Sequence, residues 1–251
     1  MKSKKVEFEG ALGDKLSGRL DMPEGDIKTC ALFAHCFTCS KNLKVVGHIT
    51  SALAQKNVAT LRFDFTGLGQ SEGDFANTNF TSNVDDLVAA TKFMEDQISG
   101  PAVLIGHSLG GAAVIQAAHK IPTAKAVVTI GAPCEPKHVK HHFDAHMDQI
   151  EETGEAEVTL AGRKFKIKKQ FVDDLKASKM DDFIRNLDRA LLVMHSPVDR
   201  TVGVENAAHI YSTAKHPKSF ISLNKADHLL TDEKYSTYAG SLIAPWADLY
   251  L

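Results

Sequence analysis

The chain is short of most features that would give its role away at once. It has four cysteines and one tryptophan among 251 residues. So few cysteines cannot form a disulfide framework, and they read as reduced thiols of a cytoplasmic protein. No apolar run approaches the roughly 20 residues of a membrane span. The opening "MKSKKVEFEG" has lysines but no apolar core behind them, which argues against a secretory signal. No Pro/Ser-rich linker and no internal repeat divides the chain. A formal net charge of −2 lacks the basic excess that nucleic acid would select. The local basic stretch "GRKFKIKKQ" (162–170) alternates as an exposed strand does.

What is present is ordinary soluble material, 43% hydrophobic and 24% charged, in a chain long enough for a sizeable core. "VEFEG" and "KLSGRLDM" flank "ALGD" and predict an antiparallel hairpin at a sheet edge. "TCALFAH" (29–35), "NVATLRFD" (57–64), "AVLIG" (102–106), "AKAVVTIGAP" (124–133), "RALLVMH" (189–195) and "KSFISL" (218–223) are apolar runs of strand length. Helical patterns separate them at 43–56, 80–98, 109–120 and 203–214, and a last one covers about 233–250. Ser82 is the expected N-cap of the second helix, with Asp85 three residues on. Strand and helix alternating at this spacing predict an α/β domain over 1–251, its mostly parallel sheet covered by helices on both faces. Residues 135–187 break the rhythm with a His-rich helix, a hairpin ("AEVTLAGRKFKIK") and a further helix ("KQFVDDLKAS"), which reads as a small inserted cap.

Chemistry enters at "LIGHSLGGAAV" (104–114), where a strand run meets a helix run. Gly106-His107-Ser108-Leu109-Gly110 fits G-x-S-x-G, the nucleophile elbow, whose strained turn crowds the positions two before and two after the serine. A serine that merely capped the helix would leave both glycines unexplained. Serine needs a histidine base, and that histidine needs an acid to orient it. In proteins that carry this elbow the acid and then the base follow the serine, each on a loop after a later strand. Asp199 follows "RALLVMH", and His228 follows "KSFISL". His107, His195, His209 and His216 are worse placed for the base, as are Asp188 and Asp227 for the acid. The oxyanion needs two donors, expected to be the N–H groups of Leu109 and of Phe37 in "AHCFTCSKN".

Two further patterns have bland readings. Cys36-x-x-Cys39 has redox or metal spacing without a partner pair, and reads as incidental thiols. His138, His142 and His146 recur every four residues, as zinc ligands on one helix face would, but a solvated cap helix explains them and no metal is expected.

"HCF", "DFTGLGQSEG", "GHSLGG", "PVDRTV" and "ADHLL" together resemble the α/β-hydrolase superfamily along nearly the whole chain. "FAHCFTCSKN", "LRFDFTGLGQSEG", "FANTNF" and "AEVTLAGR" are similar to the hydrolase half of bacterial α/β hydrolase–OsmC-like fusion proteins. Cys36 stands where many relatives carry glycine. The resemblance implies a cofactor-free serine carboxylesterase acting on small or short-acyl esters. Peptidase, thioesterase or acyltransferase action on the same residues is the alternative, and a thiol-based redox or non-catalytic partner protein is the alternative from another class. The expected partner is a small-molecule ester, with neither nucleic acid nor membrane. A homo-oligomer is left open, and an OsmC-like partner follows from the resemblance alone.

Overall fold

The computed structural model describes residues 1–160 and 162–251. In chain order the strands are β1 (Lys2–Glu9), β2 (Lys15–Met22), β3 (Thr29–Ala34), β4 (Val58–Phe63), β5 (Val103–His107), β6 (Ala126–Ile130), β7 (Glu155–Leu160), β8 (Arg163–Lys168), β9 (Ala190–His195) and β10 (Lys218–Ser222). The helices are α1 (Lys44–Ala54), α2 (Phe80–Gln97), α3 (Leu109–Ala117), α4 (Met147–Thr153), α5 (Lys169–Ala177), α6 (Met180–Arg185), α7 (Val204–Thr213) and α8 (Glu233–Ala247).

Eight strands form one sheet in the order β1-β2-β4-β3-β5-β6-β9-β10. The β1–β2 hairpin joins antiparallel to β4, and every later pairing is parallel. The central strands β4, β5, β6 and β9 are buried at every position, as a sheet covered on both faces requires. Successive side chains feed opposite faces. Leu104 packs with Leu87 of α2 and Val114 of α3. Its neighbours Val103 and Ile105 pack with Ile49 of α1 and Ile243 of α8. All parallel strands therefore end on one edge, where loops after β3, β5, β9 and β10 meet. Among the described residues no helix is long and apolar enough to cross a membrane.

Several local expectations are corrected. The N-cap of α2 is Asn79: its side chain accepts the Ser82 N–H at 2.8 Å, while the Ser82 hydroxyl receives the Asn79 N–H at 2.9 Å. Ser82 is thus the reciprocal partner in a capping box. β6 and α8 are shorter than their apolar patterns. α6 was not expected, because six residues carry too few apolar positions to show a period. Between β6 and β9 the chain leaves the sheet for α4, the β7–β8 hairpin, α5 and α6.

A buried ion pair anchors the loop that follows β3. Lys41 Nζ lies 2.5 Å from Asp64 Oδ2, and the Lys41 N–H donates to Oδ1 at 2.6 Å. Both side chains are at most 1% exposed. Asp64→Asn would strand a buried ammonium, although Ser17 and Gln70 oxygens still face it. The expected loss is about 3 kcal/mol in urea unfolding, at the lower edge of the range for breaking a buried pair.

Candidate active site

Ser108 joins β5 to α3 with φ 54° and ψ −126°, a conformation that a non-glycine residue adopts only under constraint. Its N–H donates to the Ile130 carbonyl at 2.9 Å. Its side chain makes no capping bond to α3, so helix capping is not what it does. A Cβ on Gly106 would lie 2.6 Å from Gly111 Cα, and one on Gly110 would lie 2.6 Å from the His35 carbonyl oxygen. The motif glycines are therefore required by close backbone approach.

The loops after β9 and β10 bring two more side chains to the serine. His228 Nε2 lies 3.0 Å from Ser108 Oγ, and His228 Nδ1 lies 2.7 Å from Asp199 Oδ2. A carboxylate only accepts, so Nδ1 carries the proton and Nε2 is free to accept from the hydroxyl. Asp199 Oδ1 accepts the N–H groups of Thr201 at 2.8 Å and Val202 at 2.9 Å. Burial works against the charge of Asp199. The His228 hydrogen bond, the Val202 and Thr201 N–H groups and the His228 charge outweigh it and hold the carboxyl below its ordinary value.

Of three buried histidines outside the expected set, two brace this arrangement and the third braces the loop after β3. His107 Nε2 meets the His228 carbonyl at 2.7 Å. His195 Nε2 meets the Val202 carbonyl at 2.8 Å and lies 3.8 Å from Asp199 Oδ2. His35 Nδ1 meets the Cys36 carbonyl at 2.8 Å. Their sequence signal is weak, because each ends or follows an apolar strand and only the folded loops supply its partner. Asp227, weighed against Asp199 as the acid, is exposed and bonds Thr231.

Burial, and then the nearby His228 charge, push the His107 imidazole down to about 4. Its unfolded value is near 6.5, so the unfolded chain takes up a proton that the folded chain refuses. The stability His107 contributes is whole above pH 6.5 and is lost as the pH falls toward 4, amounting to about 3 kcal/mol at most. The urea midpoint should therefore fall between pH 7 and pH 4.5, and His107→Gln should flatten that part of the fall.

Leu109 opens α3, so its N–H is one of the helix's orphan donors and sits at the positive end of the dipole. Phe37 lies in the loop after β3. Among the described residues no acceptor faces either N–H. The Phe37 ring packs 5.8 Å from Phe171 and 6.4 Å from His142. Burial, and then the charges of His141 and His138, lower His142 to about 4, so it is neutral near pH 7. A cavity of about 310 Å³ is lined by Phe37, Ser108, Val139, His142, Leu160 and His228. Larger clefts of about 360, 560 and 660 Å³ lie elsewhere, and none of them includes Ser108 or His228.

Two expectations fail here. Cys36 and Cys39 are not free thiols: their Cα atoms lie 5.4 Å apart across a tight turn, within bonding reach, and the sulfurs form a disulfide. Cys30 and Cys134 are free. The His-rich stretch is not one α-helix. It is a 3-10 turn (Pro136–His142), a break at Phe143 and a second turn (Asp144–His146), so a spacing of four does not align the three rings. Among the described residues no three His, Cys, Asp or Glu side chains converge in a way that suits a metal ion.

A family model described as serine aminopeptidase, S33, matches residues 32–152. The esterase domain of a Rhodothermus marinus protein is 47% identical, with 100% of this chain and 99% of that one covered and a TM-score of 0.81. Est1E from Butyrivibrio proteoclasticus, solved with ferulic acid bound, shares the fold: 21% identity, 97% and 100% coverage, TM-score 0.79. The uncharacterized protein YfhR of Salmonella typhi is 21% identical over 208 residues, 82% of this chain and 66% of that protein. The chain thus spans just under two thirds of that relative. By sheet topology, elbow and kinship, the chain belongs to the α/β-hydrolase superfamily of serine hydrolases.

Proposed function

We propose that the chain is a serine carboxylesterase for small or short-acyl esters. The observation that carries this reading is the continuous hydrogen-bonded line from Ser108 through His228 to Asp199. Ser108 Oγ attacks the ester carbonyl while His228 Nε2 takes its proton. Asp199 keeps the imidazole in the right tautomer and balances the imidazolium. The N–H groups of Phe37 and Leu109 receive the oxyanion, where each such donor is worth about 10²–10³-fold in rate. The tetrahedral adduct expels the alcohol, which takes the proton back from His228. Water, activated by the same imidazole, then hydrolyses the acyl-enzyme.

The inserted segment acts in this reading as a cap. It supplies Val139, His142 and Leu160 to a cavity at the lower end of the usual size for ligand pockets. A neutral His142 beside Phe37 suits an uncharged acyl group. The 47% identity to an esterase domain supports ester hydrolysis as the reaction.

A panel of p-nitrophenyl esters of increasing acyl length, with a thioester and an aminoacyl anilide alongside, tests this. Turnover of the short esters should exceed that of long esters and of the anilide. Dominant anilide or thioester turnover would replace the assignment with peptidase or thioesterase. Failure of a fluorophosphonate to label Ser108 would remove the serine mechanism altogether.

A further inference from the structure

The Cys36–Cys39 disulfide closes a four-residue ring around Phe37 and Thr38. The backbone N–H assigned to the oxyanion therefore lies inside that ring. Both cysteines line the same cavity as Ser108 and His228, Cys36 buried and Cys39 half-buried.

The ring's surroundings are held from both ends. Upstream, the buried His35 imidazole bonds the Cys36 carbonyl and receives the Phe65 N–H at 3.4 Å. Downstream, Asp64 grips the Lys41 N–H. Between them Thr38 has φ +58°, a left-handed conformation that a β-branched residue keeps only where its surroundings impose it. Three constraints act on it. They are the disulfide, the Cys39 N–H bond to the Cys36 carbonyl at 3.2 Å, and the Arg163 guanidinium of β8, which donates to the Thr38 carbonyl. The disulfide is the one covalent member of the set. Without it, the Cys36–Phe37 peptide, which carries the donor N–H, is held only through the hydrogen bonds of its carbonyl to His35 and to the Cys39 N–H, and it can tilt as Thr38 relaxes to negative φ.

We propose that Cys36 and Cys39 are positioning residues: their disulfide holds the Phe37 N–H toward the oxyanion, and opening it lowers turnover. The proposal rests on the serine-esterase reading above. Opening the bond requires a thiol reductant. With a dithiol, one thiolate attacks the more accessible Cys39 Sγ and displaces Cys36 as a thiolate, which takes a proton. The reagent's second thiolate then displaces Cys39, which is protonated in turn. Two electrons and two protons pass to the protein, and the reagent leaves as a cyclic disulfide.

An oxyanion donor acts where charge develops, so its loss lowers kcat and leaves KM nearly unchanged. Oxidised chain, dithiothreitol-treated chain and the Cys36→Ala/Cys39→Ala variant should be compared on p-nitrophenyl acetate. Each needs iodoacetamide mapping of its thiols and a melting curve. Reduction should lower kcat roughly tenfold to a hundredfold, short of the full loss of one donor, with KM within about twofold. Affinity for a trifluoromethyl ketone, whose adduct carries the oxyanion, should fall by the same factor. Re-oxidation by a small disulfide should restore both.

The double variant should stay at the low rate and ignore dithiothreitol, although it keeps Cys30 and Cys134. If that variant does not fold, reduction and re-oxidation of the unaltered chain decide alone. An unchanged kcat with both thiols mapped as reduced would overturn the proposal. So would a loss of ketone affinity matched by an equal rise in KM. The esterase reading fails differently: neither redox form turns over an ester and no fluorophosphonate marks Ser108, and the positioning role falls with it.

Discussion

Ser108→Ala is expected to lower kcat on p-nitrophenyl acetate by at least about 10⁴-fold, with KM little changed. The reason is local. In the proposed acylation step the hydroxyl is the only group that bonds the acyl carbon, and its proton is the one that His228 Nε2 is placed to take, at 3.0 Å. The N–H groups around the oxyanion survive the change, so binding and a small residual rate remain. Stability should stay close to that of the parent, because alanine keeps the Cβ that the φ of 54° already accommodates and the serine hydroxyl makes no helix cap. A circular dichroism melt alongside the rate separates lost chemistry from lost fold. Retained activity in a folded variant would dismiss Ser108 as nucleophile.

Asp199→Asn should cost about 10⁴-fold in kcat near neutral pH, and geometry says why. The N–H groups of Thr201 and Val202 both point at one side-chain oxygen, Oδ1. In asparagine that pair holds the carbonyl oxygen, which turns the NH₂ toward His228 Nδ1. Nδ1 must then accept, the ring proton moves to Nε2, and the imidazole can no longer take a proton from Ser108. The fold keeps both loop bonds, so the urea midpoint at pH 7 should change little by comparison. Asp199→Ala loses these anchors as well, and should fall in both rate and stability. A variant whose kcat drops less than about tenfold would place the orienting acid elsewhere.

Much of this site was readable along the chain because its logic is local and ordered. Apolar runs of strand length gave the sheet's parallel core, since strands buried on both faces need no alternation. Glycines two before and two after Ser108 are a steric requirement of one turn, and a turn is short enough to leave its mark in sequence. Asp199 and His228 were found by position after a strand, a rule about connectivity. The braces were hidden for the opposite reason. His107 and Cys36 are ordinary residues until a loop 121 residues away or a turn of three supplies the partner. The first N-cap of α2 was missed because Asn79 and Ser82 bond each other, and the sequence shows two capping residues without saying which one leads.

The sequence alone determined the strands of the main sheet and the helices between them, the G-x-S-x-G turn, an aspartate and then a histidine just beyond two later strands, and the absence of a membrane-length apolar run. These depend on side-chain type and spacing, which the chain carries wherever it folds. Tertiary structure decided the rest. It chose Asn79 over Ser82, divided the His-rich stretch into two turns, joined Cys36 to Cys39, and aimed two N–H groups at Asp199 Oδ1. Each of these is a choice between partners of similar chemistry. Only the distances set by packing the sheet, the helices and the inserted segment together separate them.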